Sequence, residues 1–98
     1  MKWRFSPDAE AGAMWLQNPD VMYVYVDYTV DGNAWRRLMV ATARWLNGHL
    51  AGVSGPDDHS WAVVPTMLVL PSVEGSKLRT LLDQAISEGG LDVYSTPA

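Results

Sequence analysis

The sequence predicts an open two-layer α/β domain, a sheet of about four strands with three helices on one face in the order β-α-β-α-β-α-β, and three observations carry that expectation. Residues 21–30 form a run of β-branched and aromatic side chains, the composition of a strand. Residues 34–52 separate apolar from charged side chains when wound at about 100° per residue, the signature of an amphipathic helix. A length of 98 residues, with 48% hydrophobic and 18% charged, suits one ordered domain around one core. Residues 1–98 are therefore read as a single globular domain.

Taken in order, residues 2–5 alternate enough for a short strand. Ser6-Pro7-Asp8 reads as an N-cap followed by proline at the first helical position, with Asp8 and Glu10 favouring the positive end of the helix dipole. The first helix is expected over residues 7–17, where Asn18-Pro19 stops it, although Gly12 lies inside it. In the strand over residues 21–30, Met22, Val24, Val26, Tyr28 and Val30 share one face, which reads as buried. Val21, Tyr23, Tyr25, Asp27 and Thr29 share the other. Asp27 would be costly to bury unpaired, so helices are expected on one side of the sheet only.

Asp31-Gly32-Asn33 breaks the strand and offers an N-cap for the next element. Asp-Gly between apolar runs is also a strong hairpin signal. Period two after Ala34 would place Arg36 with Leu38 and Arg37 with Met39, so a helix is the favoured reading. On it Trp35, Leu38, Met39, Trp45, Leu46, His49 and Leu50 point inward, and Arg36, Arg37 and Arg44 point outward. A loop is expected over residues 52–60, then a strand over residues 61–70 bulged by Pro65. Ser72 is expected to cap a third helix with Leu78, Leu81, Leu82, Ala85 and Ile86 at helical spacing and Gly89-Gly90 at its end. A short strand over residues 91–94 and a frayed tail complete the chain. Trp35 and Trp45 read as core; Trp3, Trp15 and Trp61 read as core edge or interface.

Composition argues against several functions. A net charge of −4 opposes non-specific binding to nucleic acid or anionic lipid, whose free energy comes largely from Lys and Arg against phosphates. Without cysteine there is no disulfide framework and no thiolate metal site, which favours a reducing cytoplasm. No segment approaches the roughly 20 apolar residues of a membrane span, and the N-terminal residues do not read as a signal region. Neither catalytic, cofactor nor metal motifs stand out, so no cofactor is expected and the chain reads as a non-enzyme.

Four features invite chemistry. The arginine stripe Arg36, Arg37 and Arg44 could hold acidic surfaces or phosphates, although a solvated helix face explains it as well. Tyr23 and Tyr25 on the open sheet face could anchor a protein or stack bases, while the basic-glycine-aromatic strand of the RNA-recognition module is missing. Asp57, Asp58, His59 and Ser60 are contiguous, and together with His49 lack the spacing of zinc ligands or of a nucleophile and its base. Residues 72–77 begin a helix where an anion could sit, without the glycine spacing of a phosphate loop.

The resulting expectation is a small acidic interaction protein that binds a protein partner or a second copy of itself, of the inhibitor, immunity or phage and host accessory type, a class suggested by size alone. The partner-binding candidates are Tyr23, Tyr25, Trp61, Arg36, Arg37 and Arg44. The alternative is a nucleic-acid-binding module that uses the arginine stripe and the sheet tyrosines.

Overall fold

In the computed structural model, which describes residues 1–50 and 66–98, the middle of the chain is a hairpin rather than a helix. The elements run β1 (Lys2–Ser6), α1 (Ala9–Gln17), β2 (Val24–Thr29), β3 (Arg36–Thr42), α2 (Ala43–Leu50), β4 (Met67–Leu70) and α3 (Gly75–Glu88). A 3-10 turn (Asp92–Tyr94) and a two-residue strand, β5 (Thr96–Pro97), follow. The sheet order is β1-β2-β3-β4, with β5 also against β3. Pairing is antiparallel except between β3 and β4, which are parallel. The fold is α/β, an open sheet with a helical layer on one side.

The expected helix over residues 34–52 is the main correction, and it inserts a strand into the expected order. The turn makes the difference. Asp31 Oδ1 accepts from the backbone of Asn33 at 2.8 Å and of Ala34 at 3.1 Å, and Gly32 takes a φ of 84°, which favours glycine. Those two backbone donors also hold the Asp31 carboxyl below its ordinary pKa. Beyond the turn, Leu38 lies opposite Val26, and Val40 opposite Val24. Each pair joins two β-branched or aliphatic side chains on the buried face, the cross-strand contact that stabilises sheets.

The objection to period two dissolves once partners are counted. Arg37 stands opposite Asp27 in the register and grips both carboxylate oxygens, Nε to Oδ1 at 2.9 Å and Nη2 to Oδ2 at 3.2 Å. Arg36, at the strand's start, donates to Ser95 Oγ at 2.7 Å and to the Ser95 carbonyl at 2.8 Å. Each guanidinium thus has acceptors, although neither could be assigned them from its own neighbourhood in sequence. The helical remainder, α2, keeps the Trp45 and His49 rings stacked with centroids 5.1 Å apart, as an i, i+4 pair should.

The core lies between the sheet and the two helices α1 and α3. Phe5, Val24, Val26, Tyr28, Leu38, Val40 and Leu70 face Trp15 from α1 and Leu78, Leu82 and Ile86 from α3. Burial of a side chain of this size contributes about 1.5–3 kcal/mol. α2 adds no buried residue. The tryptophans therefore exchange roles: Trp15 is completely buried, with its Nε1 donating to the Met22 carbonyl at 3.0 Å, while Trp35 and Trp45 are half-buried. Gly12 is required by this packing. A Cβ there would collide with Cγ and Cδ2 of the Phe5 ring and lie 2.7 Å from Phe5 Cβ.

Several boundaries also shift. Asp8, not Ser6, caps α1, accepting from Ala11 N at 2.9 Å. Ser72 caps α2 rather than the third helix, since its Oγ accepts from Arg44 N at 3.0 Å. Met22 and Val30 are exposed because β2 is shorter than expected. Residues 92–94 form the 3-10 turn instead of a strand, and the expected frayed tail is pinned. Arg36 pairs with Pro97 and Arg37 with Thr96, and Ala98 N donates to the Trp35 carbonyl at 3.0 Å. Tyr28 reinforces this latch, donating its hydroxyl to Asp92 Oδ1 at 2.6 Å with Ser95 Oγ 3.0 Å away. Burial, then that bond to a carboxylate, raises the Tyr28 pKa above its ordinary 10.0.

Candidate interaction face

The sheet face turned away from α1 and α3 carries every second residue of its strands. Register places Ser6, Tyr25, Met39 and Met67 in one row across it, and Arg4, Asp27, Arg37 and Thr96 in the next. Asp27 therefore sits between two arginines. It is 4% exposed and is satisfied by Arg37, whose Nη2 also donates to Ser6 Oγ at 2.9 Å. The carboxylate in turn raises the Arg37 pKa through hydrogen bonding and charge. This pair answers the question that Asp27 poses in the sequence, since the buried acid has a hydrogen-bonded counter-charge to offset its desolvation.

Alongside it runs an aromatic row. Tyr25 meets Tyr23 edge to face at 5.5 Å, Tyr23 meets Trp45 at 5.6 Å in the same manner, and Trp45 stacks on His49. Each geometry is one that aromatic quadrupoles favour. The two tyrosines remain 43% and 40% exposed, and Val69 on the neighbouring strand is 40% exposed. At the far side, the Arg4 guanidinium lies 4.0 Å above the Trp35 ring. Its cation is thereby displayed on the face rather than folded away, a favourable arrangement for an exposed arginine.

The expected site residues separate on this framework. Tyr23 and Tyr25 share the open face as the alternation of β2 implies. Arg36 and Arg37 point to opposite sides of β3: Arg36 belongs to the tail latch and Arg37 to Asp27. Arg44, on α2, reaches Asp20 at 3.4 Å. The arginine stripe is therefore not a stripe, because a strand alternates its side chains where a helix would have aligned them. Trp61, Asp57, Asp58, His59, Ser60 and Pro65 lie outside the described residues. Of residues 72–77, Ser72 serves α2 and Glu74 precedes α3 without a side-chain cap.

Asp27 lies on this face with Tyr23 and Tyr25 as the alternation of residues 21–30 implies, whereas Arg4, Trp35 and Trp45 were not legible as members of it. A signal was present for Arg4, since alternation in residues 2–5 places it opposite the Phe5 side. Trp45 could be found only from the start of α2. Among the described residues, no group of three His, Cys, Asp or Glu side chains could hold a metal ion, and no helix is long and apolar enough to cross a membrane. Compared with protein-family models, curated proteins and solved structures, the chain matches none, so the chemistry of the face itself carries the functional reading.

Proposed function

We propose that the protein is a non-catalytic interaction domain that docks a protein partner on its open sheet face. The observation that carries this reading is the aromatic row in which exposed Tyr25 and Tyr23 lean on half-buried Trp45, set beside exposed Val69 and bordered by Arg4 and Arg37. Tyr, Trp and Arg are the residues that dominate binding energy at protein interfaces, because they bury large area at low conformational-entropy cost and retain a polar end. Rigid support favours the same role, since Tyr23 and Trp45 hold one another before any partner arrives. Arg37 is matched by Asp27, which leaves Arg4 as the border cation outside an ion pair among the described residues, and it favours a partner with an acidic group beside an apolar centre.

Binding to single-stranded nucleic acid through the same rings is the competing reading. The dispersal of the arginines and the net charge of −4 both weigh against it. Light scattering combined with affinity capture tests the proposal, using the wild-type chain, Tyr23→Ala and Tyr25→Ala. Both tyrosines are exposed, so the variants should retain the wild-type circular dichroism spectrum. Captured partner should fall by about 30-fold in affinity if either ring is a hot spot worth about 2 kcal/mol. Equal affinity of all three proteins would refute the assignment of the face.

A further inference from the structure

Helix α2 buries none of its residues, yet it supplies Trp45 to the aromatic row. Hydrogen bonds at its start do what burial does for α1 and α3. Thr42, the last residue of β3, is completely buried and caps α2, its Oγ1 accepting from Trp45 N at 3.3 Å. That hydroxyl has one proton to give, and two acceptors lie near it: Asp20 Oδ1 at 2.6 Å and the Pro19 carbonyl at 3.4 Å. The shorter bond, to a carboxylate, is the stronger. With its proton committed to Asp20, Oγ1 is left to accept from the Trp45 amide.

Asp20 also belongs to the connection that carries Tyr23. Residues 18–23 join α1 to β2 and are anchored to the body at two points, where Trp15 Nε1 donates to the Met22 carbonyl at 3.0 Å and where Asp20 accepts from Thr42. The other oxygen of the same carboxylate accepts from Arg44 Nη1 at 3.4 Å, one residue before Trp45. One side chain thus ties the segment that delivers the first ring to the turn that delivers the second. We infer that Asp20 is a positioning residue of the open face, acting through Thr42 Oγ1 to hold Trp45 edge to face against Tyr23 before a partner docks. Its consequence for binding rests on the docking function proposed for the face. The ring geometry does not.

Fluorine NMR of the full chain labelled with 5-fluorotryptophan tests this without any partner. Its tryptophan resonances respond to neighbouring aromatic rings, Trp45→Phe identifies the one of interest, and Tyr23→Ala gives the shift that loss of the ring contact produces. Asp20→Ala, at a half-buried position, should keep the circular dichroism spectrum and move the Trp45 resonance towards its Tyr23→Ala value. In a Tyr23→Ala background it should move the resonance little further, the non-additivity of one residue acting through another. Asp20→Asn keeps an oxygen for the Thr42 hydroxyl and should restore the wild-type resonance. Arg44→Ala should leave it in place, because an exposed ion pair holds little. A resonance unmoved by Asp20→Ala, or displaced equally with and without Tyr23, would overturn the proposal. So would Arg44→Ala reproducing the effect of Asp20→Ala, which would place the coupling in the ion pair. Affinity capture then separates the two readings of the face. Where Tyr23→Ala loses about 30-fold in affinity, Asp20→Ala should lose part of that, and no loss would end its role in docking. If Tyr23→Ala binds as wild type while Asp20→Ala still displaces the resonance, the docking reading falls and the positioning of the rings stands.

Discussion

Alanine at Gly12 should destabilise this protein although Gly12 lies inside a helix, where the same change ordinarily stabilises by about 0.8–1 kcal/mol. The new Cβ would meet Phe5 at the root of its side chain, 2.7 Å from its Cβ. Rotation about χ1 moves the ring but not that atom. Phe5 must therefore shift with β1, an overpacking cost of about 1–3 kcal/mol, or leave the core, at most the roughly 3–5 kcal/mol of a Phe→Ala truncation. Set against the propensity gain, a shift of β1 leaves a net loss of up to about 2 kcal/mol and expulsion of the ring one of about 2–4 kcal/mol. Gly48 provides the internal control, since nothing lies within 4 Å of a Cβ built there. Gly48→Ala should stabilise by about 0.5–1 kcal/mol. Urea unfolding of the two variants reads the contrast, with midpoints moving in opposite directions at unchanged m. In a Phe5→Ala background the cost of Gly12→Ala should shrink without vanishing, because the ring is gone while the alanine keeps a Cβ at 2.7 Å. A Gly12→Ala protein more stable than wild type, with Phe5 intact, would falsify the packing of β1 on α1.

Two further outcomes follow from the polar contacts. Arg37→Ala should lower the urea midpoint more than Asp27→Ala, since the first leaves a buried carboxylate without its partner and the second leaves a guanidinium in contact with water; the reverse order would contradict the burial of Asp27. Tyr28 has a folded-state pKa above 10.0, so its contribution is complete below that pH and declines as pH rises through and beyond it. Tyr28→Phe should accordingly be less stable than wild type at neutral pH and show a shallower loss between about pH 9 and 11, measured as urea midpoints across that range. A parallel decline in both proteins would remove Tyr28 from the C-terminal latch.

Features that depend on near neighbours were largely legible. The α3 spacing of Leu78, Leu82 and Ile86 predicts its buried stripe, and all three are buried. The alternation of β2 separates Val24, Val26 and Tyr28 from Tyr23 and Tyr25, and the structure keeps that division. Acidic capping of α1 was foreseeable to within two residues. The aromatic pair on the open face came from the same alternation. Its continuation to Trp45 did not, because it depends on where β3 ends and α2 begins.

What the sequence determined by itself, then, is the inventory: one α/β layer arrangement, the inward faces of β2 and α3, and tyrosines left outside. Residues 34–42 lay beyond its reach, since their helical segregation and their strand alternation are both respectable local patterns. Tertiary structure decided between them by supplying acceptors 10 residues away for Arg37, at Asp27, and 59 residues away for Arg36, at Ser95. A local pattern weighs only what each residue gains from its neighbours in sequence. Pairing the strand satisfied two charges and buried Leu38 and Val40 at once, a gain that exists only after distant parts of the chain have met.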